Sequence, residues 1–230
     1  MNAVIRRRAS DRRTAVVGSL VLLSLFVLAM IAFRAWWYVG GPQQGGIAWN
    51  LFLAWIPFVL ALVVYARSDG AFFSGPVLAA ISLLWLVFLP NAPYLVTDLK
   101  YVGSDSGVPV LYDVVLLTAA AWAGLLLGLV SLFLMHMVWQ RVLGVLNAWA
   151  VVVVALALSS FGIYLGRIQR WNSWDVFTRP LSLTGQIAQG LLDPISHPRP
   201  VGLTVLFTVF LFASYLVFYA FARLNYSATK

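Results

Sequence analysis

Six runs of about twenty apolar residues, parted by short polar breaks, decide the fold before any other feature is read. An α-helix needs ~20 apolar residues to cross a bilayer, because each residue rises only ~1.5 Å against a hydrocarbon core of ~30 Å. The runs lie at approximately 14–33, 47–66, 71–89, 110–139, 142–165 and 201–222. In hydrocarbon each backbone N–H and C=O must be satisfied within its own segment, so such runs form helices. The expected fold is all-α: a polytopic transmembrane helical bundle of about six spans, a single membrane domain over residues 1–230. With 62% hydrophobic and 10% charged residues, the chain has no stretch left for a separate soluble domain.

Composition then removes whole classes of chemistry. There is no Cys, so disulfides, thiolate metal sites and a cysteine nucleophile are excluded. All seven acids are Asp, and two His are too few for a multi-histidine zinc or di-iron centre. The net charge of +8 suggests nucleic acid at first sight, but Arg6, Arg7, Arg8, Arg12 and Arg13 crowd the first thirteen positions. That placement marks a cytoplasmic membrane flank. The expected partners are membrane lipids, with no nucleic acid. The first run is read as a retained span, because Arg34-Ala35-Trp36-Trp37-Tyr38 offers bulky residues where signal cleavage needs small ones.

The third run stops at Pro90-Asn91-Ala92-Pro93-Tyr94, followed by Thr97-Asp98-Leu99. Two prolines remove backbone donors and end regular helix, and the freed groups and a carboxylate at a membrane boundary need partners. Tyr112 and Asp113 open the fourth run, and Ala120, Gly124 and Gly128 recur at four-residue spacing, a stripe that lets backbones approach closely. Pro57 is expected to kink the second run. Gly40 to Gly46 is read as a loop and Arg141 as the turn between runs four and five. After run five come Arg167, Arg170, Trp171, Asn172, Ser173, Trp174 and Asp175. Residues 180–193 carry Leu183, Ile187 and Leu191 at four-residue spacing, which predicts a short interfacial amphipathic helix between spans five and six.

Six spans place both termini and the Arg67 and Arg141 turns on one side with nine basic residues, against six on the other. The positive-inside rule makes the termini cytoplasmic in a bacterial inner membrane. The motif loops 90–109 and 166–200 then share the outer face. There Asn91, Tyr94, Thr97, Asp98, Asp113, Arg167, Arg170, Asn172, Trp174 and Asp175 can meet as ligand-binding residues, and Asn50 can join them. The opposite face offers His136, expected simply to reach the interface, with Arg141 and Asn147.

These motifs, Phe88-Leu89-Pro90-Asn91-Ala92-Pro93-Tyr94 with Thr97-Asp98-Leu99, Tyr112-Asp113, Trp122 with Gly124 and Gly128, and Gly166-Arg167 through Asp175, resemble the bacterial membrane proteins grouped as domain of unknown function 1361. The resemblance covers roughly Trp85 to Pro180 and brings no activity with it.

Three readings of the outer cluster stay open. It is a structural ion-pair network joining helix ends, as charges near a membrane are usually paired. Alternatively it recognises a polar or phosphorylated lipid or envelope precursor, since Arg presents a planar fork to phosphate. In that case Asp98, Asp113 and Asp175 are the catalytic candidates, as base or as holders of Mg²⁺. The third reading is a small permease or ion carrier, set against the scarcity of polar residues in mid-membrane. Ser173 with His197 lacks any motif of a Ser-His-Asp hydrolase.

Overall fold

A computed structural model describes residues 2–38, 43–68, 73–104, 107–168, 178 and 198–227. The fold is all-helical, with six helices long and apolar enough to cross a membrane among the described residues. In chain order these residues form α1 (Asn2–Trp37), α2 (Gln43–Arg67), α3 (Gly75–Phe88) and a four-residue α4 (Asn91–Tyr94). A 3-10 segment (Leu95–Tyr101), α5 (Val110–Leu143), α6 (Val145–Ile168) and α7 (Pro198–Ser227) follow. The expected amphipathic helix at 180–193 lies outside the described residues.

The bundle is built on α5. At 34 residues it rises roughly 50 Å, and α1, α2, α4, the 3-10 segment, α6 and α7 all pack on it. Of its most apolar window 56% is buried, against 17% for α1 and 11% for α7, so the first and last helices form the lipid-facing flanks. Two clusters make the interior. Leu20, Val27, Leu51, Phe58, Leu95, Leu116 and Leu127 join α1, α2 and the broken segment to α5. Trp85, Leu89, Met135, Val152, Ile163 and Tyr215 join α3, α6 and α7 to it.

The third span shows how the prolines act. Pro76 sits in the first turn of α3, where its missing N–H breaks no bond. At the far end Ala92 N donates to Leu89 O at 3.1 Å, one residue short of the helical partner. The carbonyl of Phe88 is left over, and Asn91 Nδ2 donates to it at 2.9 Å. The chain continues as short helical pieces within the third candidate span, where Ala92, Pro93 and Leu95 are buried in protein.

Glycines receive that segment. A Cβ at Gly124 would lie 2.3 Å from Ala92 O, and one at Gly162 would lie 2.6 Å from Pro90 Cγ. Gly128 faces the Cβ of Ala92 at 3.2 Å from its own Cβ position. The small-residue stripe of α5 is therefore a seat for the Pro-Asn-Ala-Pro turn.

Two local expectations change. Helix α2 begins at Gln43, inside the stretch read as loop, since each residue added to an existing helix gains a bond. It runs as one helix through Pro57, whose carbonyl accepts from Ser131 Oγ at 2.9 Å, while Trp85 Nε1 donates to Ser131 Oγ at 2.6 Å. The turn between α5 and α6 is Gly144, with φ +81°, a conformation open to glycine. Arg141 stays helical and donates to Ser68 O at 3.2 Å and Ser68 Oγ at 2.8 Å.

Candidate functional site

The two ends of the bundle carry different polar groups. At one end Arg167, in the last turn of α6, reaches the 3-10 segment. Its Nη1 lies 3.0 Å from Asp98 Oδ1, with side chains 14% and 4% exposed. Nη1 also donates to Tyr94 Oη at 3.3 Å and Nη2 to the carbonyl of Thr97 at 2.5 Å. The guanidinium stands 5.1 Å from the ring centres of both Tyr94 and Tyr101. The side chain of Asn50, on α2, stands near Asp98. The break at Pro90 makes this geometry possible, because it turns the chain so that Tyr94, Thr97 and Asp98 face α6.

A second pair stands at the same end. Arg34 Nε, at the end of α1, lies 3.0 Å from Asp113 Oδ1 in the first turn of α5, with side chains 5% and 3% exposed. Tyr112 ties the same two helices by donating to the carbonyl of Met30. Each pair leaves one carboxylate oxygen without a hydrogen-bond partner, Asp98 Oδ2 and Asp113 Oδ2, and Arg167 Nε is likewise unpartnered. A buried carboxylate oxygen without a donor is costly, and so is a buried N–H without an acceptor. These three atoms define what a ligand would have to offer: donors for two oxygens and an acceptor for one N–H.

Of the residues singled out from sequence, Tyr94, Thr97, Asp98 and Arg167 come together, Thr97 through its backbone carbonyl. The Thr97 hydroxyl turns back to Tyr94 O at 2.6 Å. Asn91 caps Phe88. Asp113 pairs with Arg34 of α1. Arg170, Asn172, Trp174 and Asp175 lie outside the described residues. Arg34 and Tyr101 were missed. The signal for Arg34 was in plain view, a lone cation closing an apolar run on the face that Asp113 shares. Among the described residues no group of three His, Cys, Asp or Glu side chains meets to hold a metal ion.

The other end holds a neutral network. His136, fully buried, has Nδ1 2.7 Å from Tyr215 Oη and Nε2 3.0 Å from Gln140 Nε2. Arg223 Nη2 donates to Gln140 Oε1 at 3.4 Å. With the Gln140 amide donating to Nε2, the proton of His136 sits on Nδ1 and points to Tyr215. Trp149 and Tyr219 close the box, with ring centres 4.6 and 5.5 Å from the imidazole. His136 does not simply reach the interface; α6 and α7 bury it. The missed signal was spacing, since His136 and Gln140, and Tyr215, Tyr219 and Arg223, each recur every four residues on one helix face.

A family model described as "Protein of unknown function (DUF1361)" matches residues 49–214, a range that takes in the broken third span, the three glycines that receive it and the Asp98–Arg167 pair. No curated protein and no solved structure matches the chain.

Proposed function

The chain belongs to the DUF1361 family, and from that premise we propose that it recognises a polar, phosphorylated lipid headgroup or envelope precursor at the Asp98 end of the bundle. One observation carries the reading. A buried ion pair sits at the broken end of the third candidate span, with Asp98 Oδ2 and Arg167 Nε both unpartnered. An ionisable residue inside a membrane span is a functional site by default, with its partner named. Hydroxyl or ammonium groups of a headgroup supply donors to the carboxylate oxygens, and a phosphate oxygen supplies the acceptor to Nε. Asn91, Tyr94, Thr97, Asp113 and Arg167 complete this binding set, with Arg170, Asn172, Trp174 and Asp175, which follow α6 in the sequence. In this reading the site faces the periplasm or cell exterior and both termini face the cytoplasm of a bacterial inner membrane. A single cysteine at Ser104, labelled by an impermeant thiol reagent in intact cells, checks that orientation; protection there with labelling at Ser10 reverses it.

The binding test measures which lipids stay on the purified protein after delipidation and re-addition. Wild type is expected to retain phosphatidylethanolamine or phosphatidylglycerol over diacylglycerol. Asp98→Asn removes the charge but leaves Arg167 its tyrosine, carbonyl and ring contacts, so it should fold and lose the preference. The double variant Asp98→Asn with Arg167→Gln should recover most of the wild-type stability and be equally unselective. Unchanged preference in either variant sinks the reading.

A second reading has its own support. The guanidinium of Arg167 is already held by Asp98, Tyr94, Thr97 and two ring faces, as a helix-end staple would be. If stability alone follows the pairing and lipid retention follows only abundance, the cluster is structural and the protein an accessory subunit.

A further inference from the structure

At the His136 end two cations meet on one ring. Arg13 of α1 has its guanidinium 4.9 Å from the ring centre of Tyr65, near the end of α2, and Arg141 of α5 stands 5.7 Å from the same centre. The fold holds both there. Arg13 heads the inward face of α1, which Val17, Leu20, Ser24 and Val27 continue at helical spacing. Arg141 is tied to the end of α2, since its Nη1 donates to Ser68 O and Oγ, and Ser68 Oγ donates to Tyr65 O at 2.7 Å. Three helices thus bring two guanidiniums onto one ring, and like charges so placed repel each other.

Carboxylates cannot match these cations in number. Asp98 and Asp113 are held in ion pairs at the far end. By sequence only Asp11 and Asp69 belong to this end, against nine basic residues, so it stays positive with both counted. Asp69, next after Ser68 in the chain, is one carboxylate set against two arginines. Position then says which anion fits. Arg13 opens the first candidate span, Tyr65 lies in the last turn of the second, and Arg141 lies in the last turn of α5. The ends of spans are where headgroup phosphates lie. Arg141 is exposed, and Arg13 and Tyr65 are half-buried, so a ligand reaches the group from outside and needs no cavity. On the same face of α5, Met137, Leu134 and Val130 lead away from Arg141, half-buried and apolar, a surface that an acyl chain covers and a free anion does not.

We infer that Arg13, Tyr65 and Arg141 form a binding site for the phosphate of an anionic phospholipid in the leaflet at this end of the bundle. Each arginine presents a planar fork that meets phosphate oxygens in pairs, and an anion beside both offsets their repulsion. The site is separate from the headgroup reading at the Asp98 end and does not depend on it. There the ligand meets a carboxylate as well as an arginine. Here it meets a net positive group, which selects phosphatidylglycerol over zwitterionic phosphatidylethanolamine.

The test uses the full chain in phosphatidylethanolamine vesicles doped with phosphatidylglycerol carrying a diazirine close to the glycerol, or with the matching phosphatidylethanolamine probe. After illumination, adducts are mapped by peptide mass spectrometry. With the phosphatidylglycerol probe they should concentrate on residues 13–17 and 134–141, and the other probe should label these weakly. Arg13→Gln with Arg141→Gln should lower the yield there roughly ten- to a hundredfold, the worth of a hydrogen bond to a charged group. Arg13→Gln alone keeps the bonds between Arg141 and Ser68, and it decides if the double variant misfolds. Arg7→Gln with Arg8→Gln removes the same charge from the same flank and should leave the yield unchanged. An equal loss in that control makes the attraction a diffuse property of the arginine-rich flank and overturns the site. Equal yields from the two probes overturn it as well. So does displacement of the probe by inorganic phosphate, which would make the ligand a free anion.

Discussion

The Asp98 end and the His136 end of this bundle solve one problem in opposite ways. Both bury hydrogen-bonding groups where hydrocarbon surrounds the protein. At the His136 end every nitrogen of the imidazole has a partner, no formal charge is buried, and aromatic rings fill the remaining space. At the Asp98 end two full ion pairs are buried, and each keeps an oxygen without a donor. A neutral, satisfied network suits a joint between helices. A charged and incompletely satisfied one is poorly designed as a joint, and that contrast is the ground of the headgroup proposal.

The contrast can be broken by substitution. The largest loss is expected for Arg167→Gln, which leaves Asp98 buried as an unpaired carboxylate and should cost on the order of 3–5 kcal/mol. Adding Asp98→Asn should recover most of it, read as melting temperature in detergent and as abundance in the membrane. Gly124→Leu should come next, at about 1–3 kcal/mol or more, because its side chain has nowhere to go beside Ala92 O. Leu126→Ala, on a partly exposed face of the same helix, should do less, and equal losses would mean that the stripe seats nothing.

His136→Phe sharpens the comparison from the neutral side. It leaves the Tyr215 hydroxyl and the Gln140 amide without their imidazole, at about 1–3 kcal/mol, with no charge exposed. Pairing it with Tyr215→Phe should return part of that loss. A cost for His136→Phe above that of Arg167→Gln would overturn the ranking of the two ends. Thr97→Val should have the smallest effect, about 0.5–1.5 kcal/mol, since it removes one local hydrogen bond to Tyr94 O and leaves the ion pair in place.

How much of this was legible in the sequence follows from the range of each interaction. Spans are local: twenty apolar residues in a row state their own conformation, and the six long helices follow from them. The break at Pro90 is local too, and so is its remedy, since Asn91 bonds a carbonyl three residues back. Pairing between helices depends on how each helix is rotated, and hydropathy around an almost wholly apolar helix does not report rotation. Asp113 and Arg34 are 79 residues apart, and sharing a membrane face left several cations within reach of that carboxylate. His136 shows the same gap. Its four-residue spacing to Gln140 defines a stripe, but only the packing of α6 and α7 tells whether the stripe meets lipid or protein. The glycine stripe was read correctly as a place of close approach, while its occupant, a turn and not another long helix, was not written in the spacing.

Gly144 has a consequence for how the protein is made. It is the one residue between α5 and α6, and its positive φ reverses the chain with no slack at all. Two spans so joined cannot be threaded through a translocation pore and released one at a time, because a connector of one residue cannot reach across a bilayer that α5 alone must cross. They enter as a hairpin, and the direction chosen by α5 dictates that of α6. An error in topology at this point cannot be local: it would invert both helices together.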